Sequence, residues 1–431
     1  MRHEVCVVGA GGAGLAAAHA LRERGIPFRV LEARDGIGGM WRHGQTFAYA
    51  SLTSNTSRYR TSFRAHRMRR RGPPYVHHTE FLAYLEAFAD RFGLREAIEL
   101  GARVVAAGPD GDAWSVTAEG RDPEPFRAVV VATGVLGRPR RRAIPGDFAG
   151  RRLHSADYDR PGEFAGQDVV VTGMGASGLE VAGDVAGHAR SVTIAVRRGT
   201  FIAPRFLLPR VPLDLVDSRL ASRLLSFDAR RRALALMVAR TTRLARRHGM
   251  PAPDHRLMEE PVALSDTFVR ALRRGQVTLR PGIERFEGER VVFADGTAQR
   301  ADAVIEACGF DPDLRFLPEH LVAGFGEYHM PLLRGVAHPE QDGLFFVGFT
   351  AGQGALLPMM EAQARWAAAV LAGELPWPPP EERRRCSRRR PGGPSASSGG
   401  RSPSGATASA TSWSSSARST GPEGRPGVRV P

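Results

Sequence analysis

Val5-Cys6-Val7-Val8-Gly9-Ala10-Gly11-Gly12-Ala13-Gly14-Leu15-Ala16-Ala17-Ala18-His19-Ala20 stands near the start of a 431-residue chain and decides its fold. A short apolar run predicts a buried strand over Glu4–Val8, and the alanine-rich stretch predicts a helix from about Gly14 to Arg24. The apolar character alone would also suit a signal-peptide core, but three glycines at G-x-G-x-x-G spacing give a better account. Gly9 permits the tight turn, Gly11 lets backbone approach a pyrophosphate, and Gly14 lets helix and strand pack closely. Free N–H groups at the helix start then supply donors and partial positive charge for phosphates. A second strand, Phe28–Glu32, ends on Glu32, 18 residues after Gly14, where a carboxylate takes ribose hydroxyls.

The same unit recurs. A strand over Asp168–Thr172 leads through Gly173-Met174-Gly175-Ala176-Ser177-Gly178 into a helix, and then to a strand over Ser191–Val196. Here the position matching Glu32 is Arg197, 19 residues after Gly178, followed by Arg198. Guanidinium groups in place of the acid remove repulsion and offer paired donors to a 2′-phosphate. Glu32 would repel that phosphate, which assigns FAD to the first loop and NADPH to the second. Just past Glu32, Gly38-Gly39-Met40-Trp41 suits close approach to a flat ring or ribityl chain. The fold class is therefore α/β, with two Rossmann-like dinucleotide-binding domains.

Other elements fall around these units. A helix is expected near Thr79–Phe92, and a strand over Ala128–Ala132 ends in Thr133-Gly134. Leu and Arg at helical spacing predict a helical insertion at about 206–248, packed on the second domain. Strands at Ala303–Ala307 and Leu344–Val347 and a helix over Leu357–Leu371 are expected to return to the first sheet. The expected partition is 1–160 with 300–375 for FAD and 161–299 for NADPH. The remainder, 376–431, contains no Ile, Leu or Phe and reads as a disordered low-complexity tail.

Composition narrows the function. The net charge of +15 suggests a nucleic-acid partner, yet all 60 basic residues are Arg, and a charge of +7 is concentrated in 381–431. The +8 left over the first 380 residues is spread through solvated loops rather than one stripe. A nucleic-acid role resting on the basic tail is thus a minor alternative. Cys6, Cys308 and Cys386 are too scattered for a disulfide framework, which points to a reducing, cytoplasmic setting. No run of 18 apolar residues predicts a membrane span. His77-His78 lacks companions for a metal site, and Ser177 misses the nucleophile-elbow spacing.

Phe148-Ala149-Gly150-Arg151-Arg152-Leu153-His154-Ser155-Ala156-Asp157-Tyr158 is F-x-G-x-x-x-H-x-x-x-Y. It resembles the identifying motif of flavin-containing monooxygenases, and the order GAGGAG, Glu32, GGMW, SLTSNTS, VATG, motif, GMGASG, VRR, FADG and ACGF resembles that family over about 1–375, while the helical insertion and the run from His248 to Phe310 look like its bacterial members. The resemblance implies that NADPH reduces FAD and that reduced flavin and O₂ give a C4a-hydroperoxyflavin. A soft nitrogen or sulfur nucleophile of a small organic substrate then takes the distal oxygen. Within Leu52-Thr53-Ser54-Asn55-Thr56-Ser57 it implies Asn55 as the residue beside flavin and NADP⁺, an amide offering donor and acceptor. His154, in the segment joining the two domains, is as readily structural as catalytic. The expected cofactor-binding set is Gly9, Gly11, Gly14, Glu32, Gly39, Met40, Trp41, Ser54, Val104, Thr133, Gly134, Gly173, Gly175, Ser177, Gly178, Arg197 and Arg198.

Three departures carry weight. Tyr158 stands where Baeyer–Villiger relatives usually show Trp, which favours heteroatom oxygenation over oxygen insertion beside a ketone. Cys308 replaces the family's usual Thr, with an expected effect on flavin-side packing. The sequence after about Leu375 does not resemble the family's C-terminal segment, so an out-of-frame or truncated end, and an uncoupled NADPH oxidase releasing H₂O₂, remain alternatives.

Overall fold

The computed structural model describes residues 4–379, apart from 209, 218–222, 258–259, 261, 326–329 and 350–353, together with 381–382. In chain order, β1 (Val5–Val8) leads into α1 (Gly12–Arg22) and β2 (Phe28–Leu31). After a glycine-rich loop come β3 (Thr53–Ser57), β4 (Tyr75–His77) and α2 (His78–Arg91). Next are β5 (Ala128–Val131), β6 (Arg151–His154), β7 (Asp168–Thr172), α3 (Ala176–Val185) and β8 (Ser191–Val196). Then follow α4 (Phe227–Arg247), α5 (Asp266–Arg273), β9 (Val277–Pro281), β10 (Ala303–Glu306), β11 (Leu344–Phe346) and α6 (Leu356–Leu371).

Two five-stranded parallel sheets organise the chain. The first has the order β11-β5-β1-β2, with Ile98–Glu99 at its edge. Its strands are runs such as VCVV and AVVV that are buried on both faces, as parallel strands covered by helices and loops must be. Val5 and Val7 face a core built with α1 and α6, whereas Cys6 and Val8 face Trp114, Val116 and Phe126 on the opposite side. The thiol of Cys6 is pushed up to about 12 by that burial.

The second sheet has the order β6-β10-β7-β8-β9, all parallel. This corrects the expectation for Ala303–Ala307. β10 does not return to the first sheet; it lies between β6 and β7, with Val304 opposite Arg152 on one side and Val170 on the other. Both of its backbone edges are thereby paired, which a fully buried strand requires. The second sheet takes β6 and β10 from either side of the expected 161–299 span. The chain crosses between sheets twice, and the two crossings run side by side as a short antiparallel pair, Arg138 opposite Asp311 and Pro139 opposite Phe310.

Two further expectations change. The insertion is helical over α4, whose Val238 and Ala245 are buried against the second domain, but Phe206–Leu208 and Val211–Pro212 instead pair as two short antiparallel strands. At the other end, order continues past Leu375. The Trp377 ring sits edge-on to Phe345, 5.4 Å away, and Glu382 pairs with Arg334 at 2.9 Å. An aromatic contact and an ion pair give Trp377 and Glu382 an anchorage that composition alone did not reveal. Residues 380 and 383–431 of the expected tail lie outside the described residues.

Candidate functional site

The helices at the two glycine loops start without a side-chain cap, as α6 does at Ala355, whereas the other long helices are capped. Side chains cap α2, α4 and α5, with His77, Ser226 and Ser265 accepting backbone N–H groups. α1 and α3 instead begin at Gly11 and Gly175, with no side-chain cap and no acid in the first turn. A cap contributes about 0.5–2 kcal/mol. Forgoing it leaves first-turn N–H groups free to meet an anion.

Glycine is required at both loops for the same reason. Gly9 has φ +101°, and a Cβ there would stand 3.0 Å from the Ala132 carbonyl oxygen; a Cβ on Gly14 would stand 1.8 Å from the Gly9 oxygen. In the second loop Gly173 has φ +99° and would meet the Ala307 oxygen at 2.5 Å, and Gly178 would meet the Gly173 oxygen at 2.3 Å. Ala132-Thr133-Gly134 and Ala307-Cys308-Gly309 are thus equivalent turns beneath the two loops. Cys308 belongs to the second, where its Sγ lies 3.4 Å from Thr172 Oγ1. Its expected effect on flavin-side packing is corrected accordingly.

Around the first loop, Gly39 presses against Gly11, leaving only 3.0 Å between its Cβ position and the Gly11 Cα. Gly38 makes the preceding turn with φ +115°. Met40 is 37% exposed, and Trp41 stacks on Phe81 with centroids 3.9 Å apart while touching both domain cores. The buried Glu32 carboxylate accepts the Ala10 N–H at 2.6 Å and the Arg34 N–H at 3.0 Å. Two backbone bonds leave lone pairs for ribose hydroxyls. Val104 begins a strand on the other side of the first sheet, packed against that core. These residues fit a dinucleotide carrying no 2′-phosphate.

Around the second loop no atom lies within 4 Å of a Cβ on Gly175, so its backbone is open to approach. Ser177 is half-buried in the first turn of α3. Arg197 is exposed at the end of β8 and has no ion-pair partner among the described residues. Arg198 is different. Its Nε donates to Asp254 Oδ1 at 2.5 Å and its Nη2 to Glu260 Oε1 at 2.7 Å, hydrogen bonds that push its pKa further up. Among the described residues Arg197 has no carboxylate partner, whereas Arg198 is already paired with two.

β3 runs antiparallel to β4, with Asn55 exposed on it. Ser54 donates to the Thr56 carbonyl at 2.8 Å and accepts the Val76 N–H at 2.9 Å, so its buried hydroxyl holds β3 to β4. That hydroxyl is engaged within the β3–β4 pair. Asn55 Oδ1 accepts Arg205 Nη2 at 3.2 Å, while Arg205 Nη1 donates to Thr53 Oγ1 at 2.6 Å. The same Nη2 pairs with Glu180 of α3, whose other oxygen accepts the Tyr49 hydroxyl. Burial pulls the Arg205 pKa down, and the Glu180 and Arg205 side chains are 11% and 13% exposed.

The F-x-G-x-x-x-H-x-x-x-Y stretch is a joint. Fully buried His154 accepts the Ala156 N–H on Nδ1 at 3.0 Å, and Asp157 accepts the His154 N–H at 3.3 Å. Burial, aided by Arg141, holds its pKa below the ordinary histidine value. Tyr158 donates to Asp184 of α3 at 2.7 Å, where Ser51 Oγ also donates at 2.7 Å. Neither side chain has acid–base geometry toward the loops. Sequence reasoning missed Arg205 and Glu180. The available signals were an arginine inside the apolar run Phe201–Leu208 and an acid inside Leu179–Ala182 of α3.

Comparison with known proteins agrees with this geometry. Residues 2–386 match the family described as flavin-binding monooxygenase-like. Flavin-containing monooxygenase 3 of Macaca mulatta is 29% identical over 400 residues, covering 86% of this chain and 74% of that protein. Dimethylaniline monooxygenase [N-oxide-forming] 2 of Mus musculus is 28% identical over 397 residues, with the same coverage of both chains. Among solved structures, the flavin-containing monooxygenase from Stenotrophomonas maltophilia has a TM-score of 0.65 at 25% identity, covering 87% of this chain and 99% of that one.

Proposed function

The chain belongs to the flavin-binding monooxygenase-like family and is an FAD- and NADPH-using oxidoreductase, and from that premise we propose that it delivers one oxygen atom to a soft nitrogen or sulfur centre of a small organic substrate. FAD supplies the hydride-accepting and oxygen-activating chemistry when bound. The uncapped α1 N-terminus takes its pyrophosphate, and Glu32 takes its ribose hydroxyls. Gly173, Gly175 and Gly178 bring the NADPH pyrophosphate to α3, and Arg197 takes the 2′-phosphate. Asn55 faces the bound cofactors from β3 and holds them without titrating. Trp41, stacked on Phe81, packs against both domain cores and keeps water from the junction.

The observation that carries heteroatom oxygenation over ketone insertion is Tyr158. Its phenol is committed to Asp184 at the place where Baeyer–Villiger relatives carry an indole. The name of the N-oxide-forming mouse relative supports the same choice. The test is a panel of a tertiary amine, a thioether and a cyclic ketone under ¹⁸O₂, with NADPH and the FAD-loaded protein. The expected result is N-oxide or sulfoxide carrying one ¹⁸O. Lactone as the dominant product would overturn the proposal in favour of a Baeyer–Villiger enzyme. H₂O₂ equal to NADPH consumed with every substrate would overturn it in favour of an oxidase.

A further inference from the structure

Arg205 occupies a place the monooxygenase reading does not use. It comes from the segment after β8, yet its guanidinium reaches Thr53 and Asn55 on β3 and Glu180 on α3. Its backbone is fixed as well: its N–H donates to Asp266 Oδ1 at 3.1 Å, and its carbonyl accepts both the Leu213 N–H, at 2.8 Å, and the Tyr75 hydroxyl. The guanidinium also lies over the Tyr75 ring, 5.2 Å from its centroid. This arginine is built in: four partners hold its guanidinium, and Asp266, Leu213 and the Tyr75 hydroxyl hold its backbone.

The consequence falls on Asn55. A guanidinium carries only donors, so the atom of the Asn55 amide facing it is the oxygen. The Nδ2 group then points away, and it has no partner among the described residues. Without Arg205 the two ends of the amide would be nearly equivalent, and either could face the site. Charge-assisted hydrogen bonding removes that choice.

We propose that Arg205 is a positioning residue that locks the Asn55 amide with its oxygen turned inward, so that Asn55 offers only N–H donors to the bound cofactors, and that Glu180 keeps Arg205 in that pose. The inference rests on the assignment of Asn55 to the cofactors. It narrows that assignment from an amide serving as donor or acceptor to an obligate donor. It also links the second domain to the amide, since Glu180 lies only two residues beyond Gly178 of the NADPH loop.

Two readouts on the FAD-loaded protein test it: NADP⁺ affinity by calorimetry, and H₂O₂ released per NADPH consumed in the presence of a thioether. Loss of one donor should weaken NADP⁺ about 3–10-fold in Asn55→Leu and raise the H₂O₂ fraction. The pair Arg205→Met with Glu180→Gln removes both buried charges together and should reproduce both effects. The triple variant should be no worse than Asn55→Leu, because the amide's orientation is what the pair has lost. Penalties that multiply in the triple variant would mean a merely structural tether and overturn the proposal. Asn55→Asp keeps an oxygen for Arg205 and loses the N–H groups, so it should match Asn55→Leu; wild-type NADP⁺ affinity and coupling there would overturn the donor role even if the paired variant fails to fold. Wild-type behaviour of Asn55→Leu would instead strike the assignment of Asn55 itself, and the proposal with it.

Discussion

Replacing Arg197 with alanine should change which nicotinamide cofactor the enzyme prefers, and replacing its neighbour Arg198 should not. Arg197 stands exposed at the end of β8 with no carboxylate partner among the described residues. Arg198 is tied to Asp254 at 2.5 Å and Glu260 at 2.7 Å. To reach a 2′-phosphate, Arg198 would have to leave both carboxylates, and the phosphate would then meet two negative charges with only His255 beside them. A hydrogen bond to a charged group contributes about 1.5–3 kcal/mol when shielded, and solvent screening at an exposed arginine brings this to about 1–2 kcal/mol. That corresponds to a fall of roughly 5–30-fold in the ratio of kcat/KM for NADPH to that for NADH. The NADH value itself should stay within about twofold, since NADH has no phosphate to lose. Arg198→Ala should leave the ratio within about twofold, its ion pairs being exposed. Steady-state NADPH and NADH oxidation by the purified FAD-loaded variants measures both ratios. An unchanged ratio in Arg197→Ala, or an equal fall in Arg198→Ala, would refute the assignment of the phosphate to Arg197.

The remaining expectations concern binding and stability. Gly14→Ala places a Cβ 1.8 Å from the Gly9 oxygen and should abolish flavin absorbance in the purified protein. Gly178→Ala should retain flavin but weaken NADP⁺ by about tenfold or more, the overpacking cost falling on the other loop; equal flavin loss in both would contradict separate sites. Tyr158→Phe removes the donor to Asp184, which keeps Ser51, and should cost about 1–2 kcal/mol in a denaturant titration while flavin stays bound. His154, His78 and His338 all have pKa values held down, chiefly by burial, so the unfolded chain binds protons that the native state refuses. Stability from these groups is therefore complete above the unfolded histidine value of about 6.5, and below it falls by up to roughly 1.4 kcal/mol per pH unit for each histidine until the depressed native value is reached. Thermal melts at pH 7.5 and 5.5 should show this drop, with a smaller one in His154→Asn; an identical drop would exclude His154 as a contributor.

Residue order alone carries what is local. Each dinucleotide loop, its strand and its helix occupy about 30 consecutive residues, and the chemistry is carried by backbone N–H groups that glycine exposes. The residue closing each unit, Glu32 or Arg197, sits at a fixed distance along one strand, so its charge is legible from spacing. Which side chains were already committed emerged only in the folded chain. Arg198 looked equivalent to Arg197 until Asp254 and Glu260, 56 and 62 residues away, met it. Ser54 looked available until Val76 took its oxygen. β10 could have joined either sheet, because a short buried apolar strand carries no mark of its neighbours until the ladders on both sides form. The amide of Asn55 is the sharpest case. Its residue type gives a donor and an acceptor, and the contact with Arg205, 150 residues along the chain, occupies the acceptor. Hydrogen-bonding capacity is written in the residue, but its allocation depends on partners that only the folded chain brings within reach.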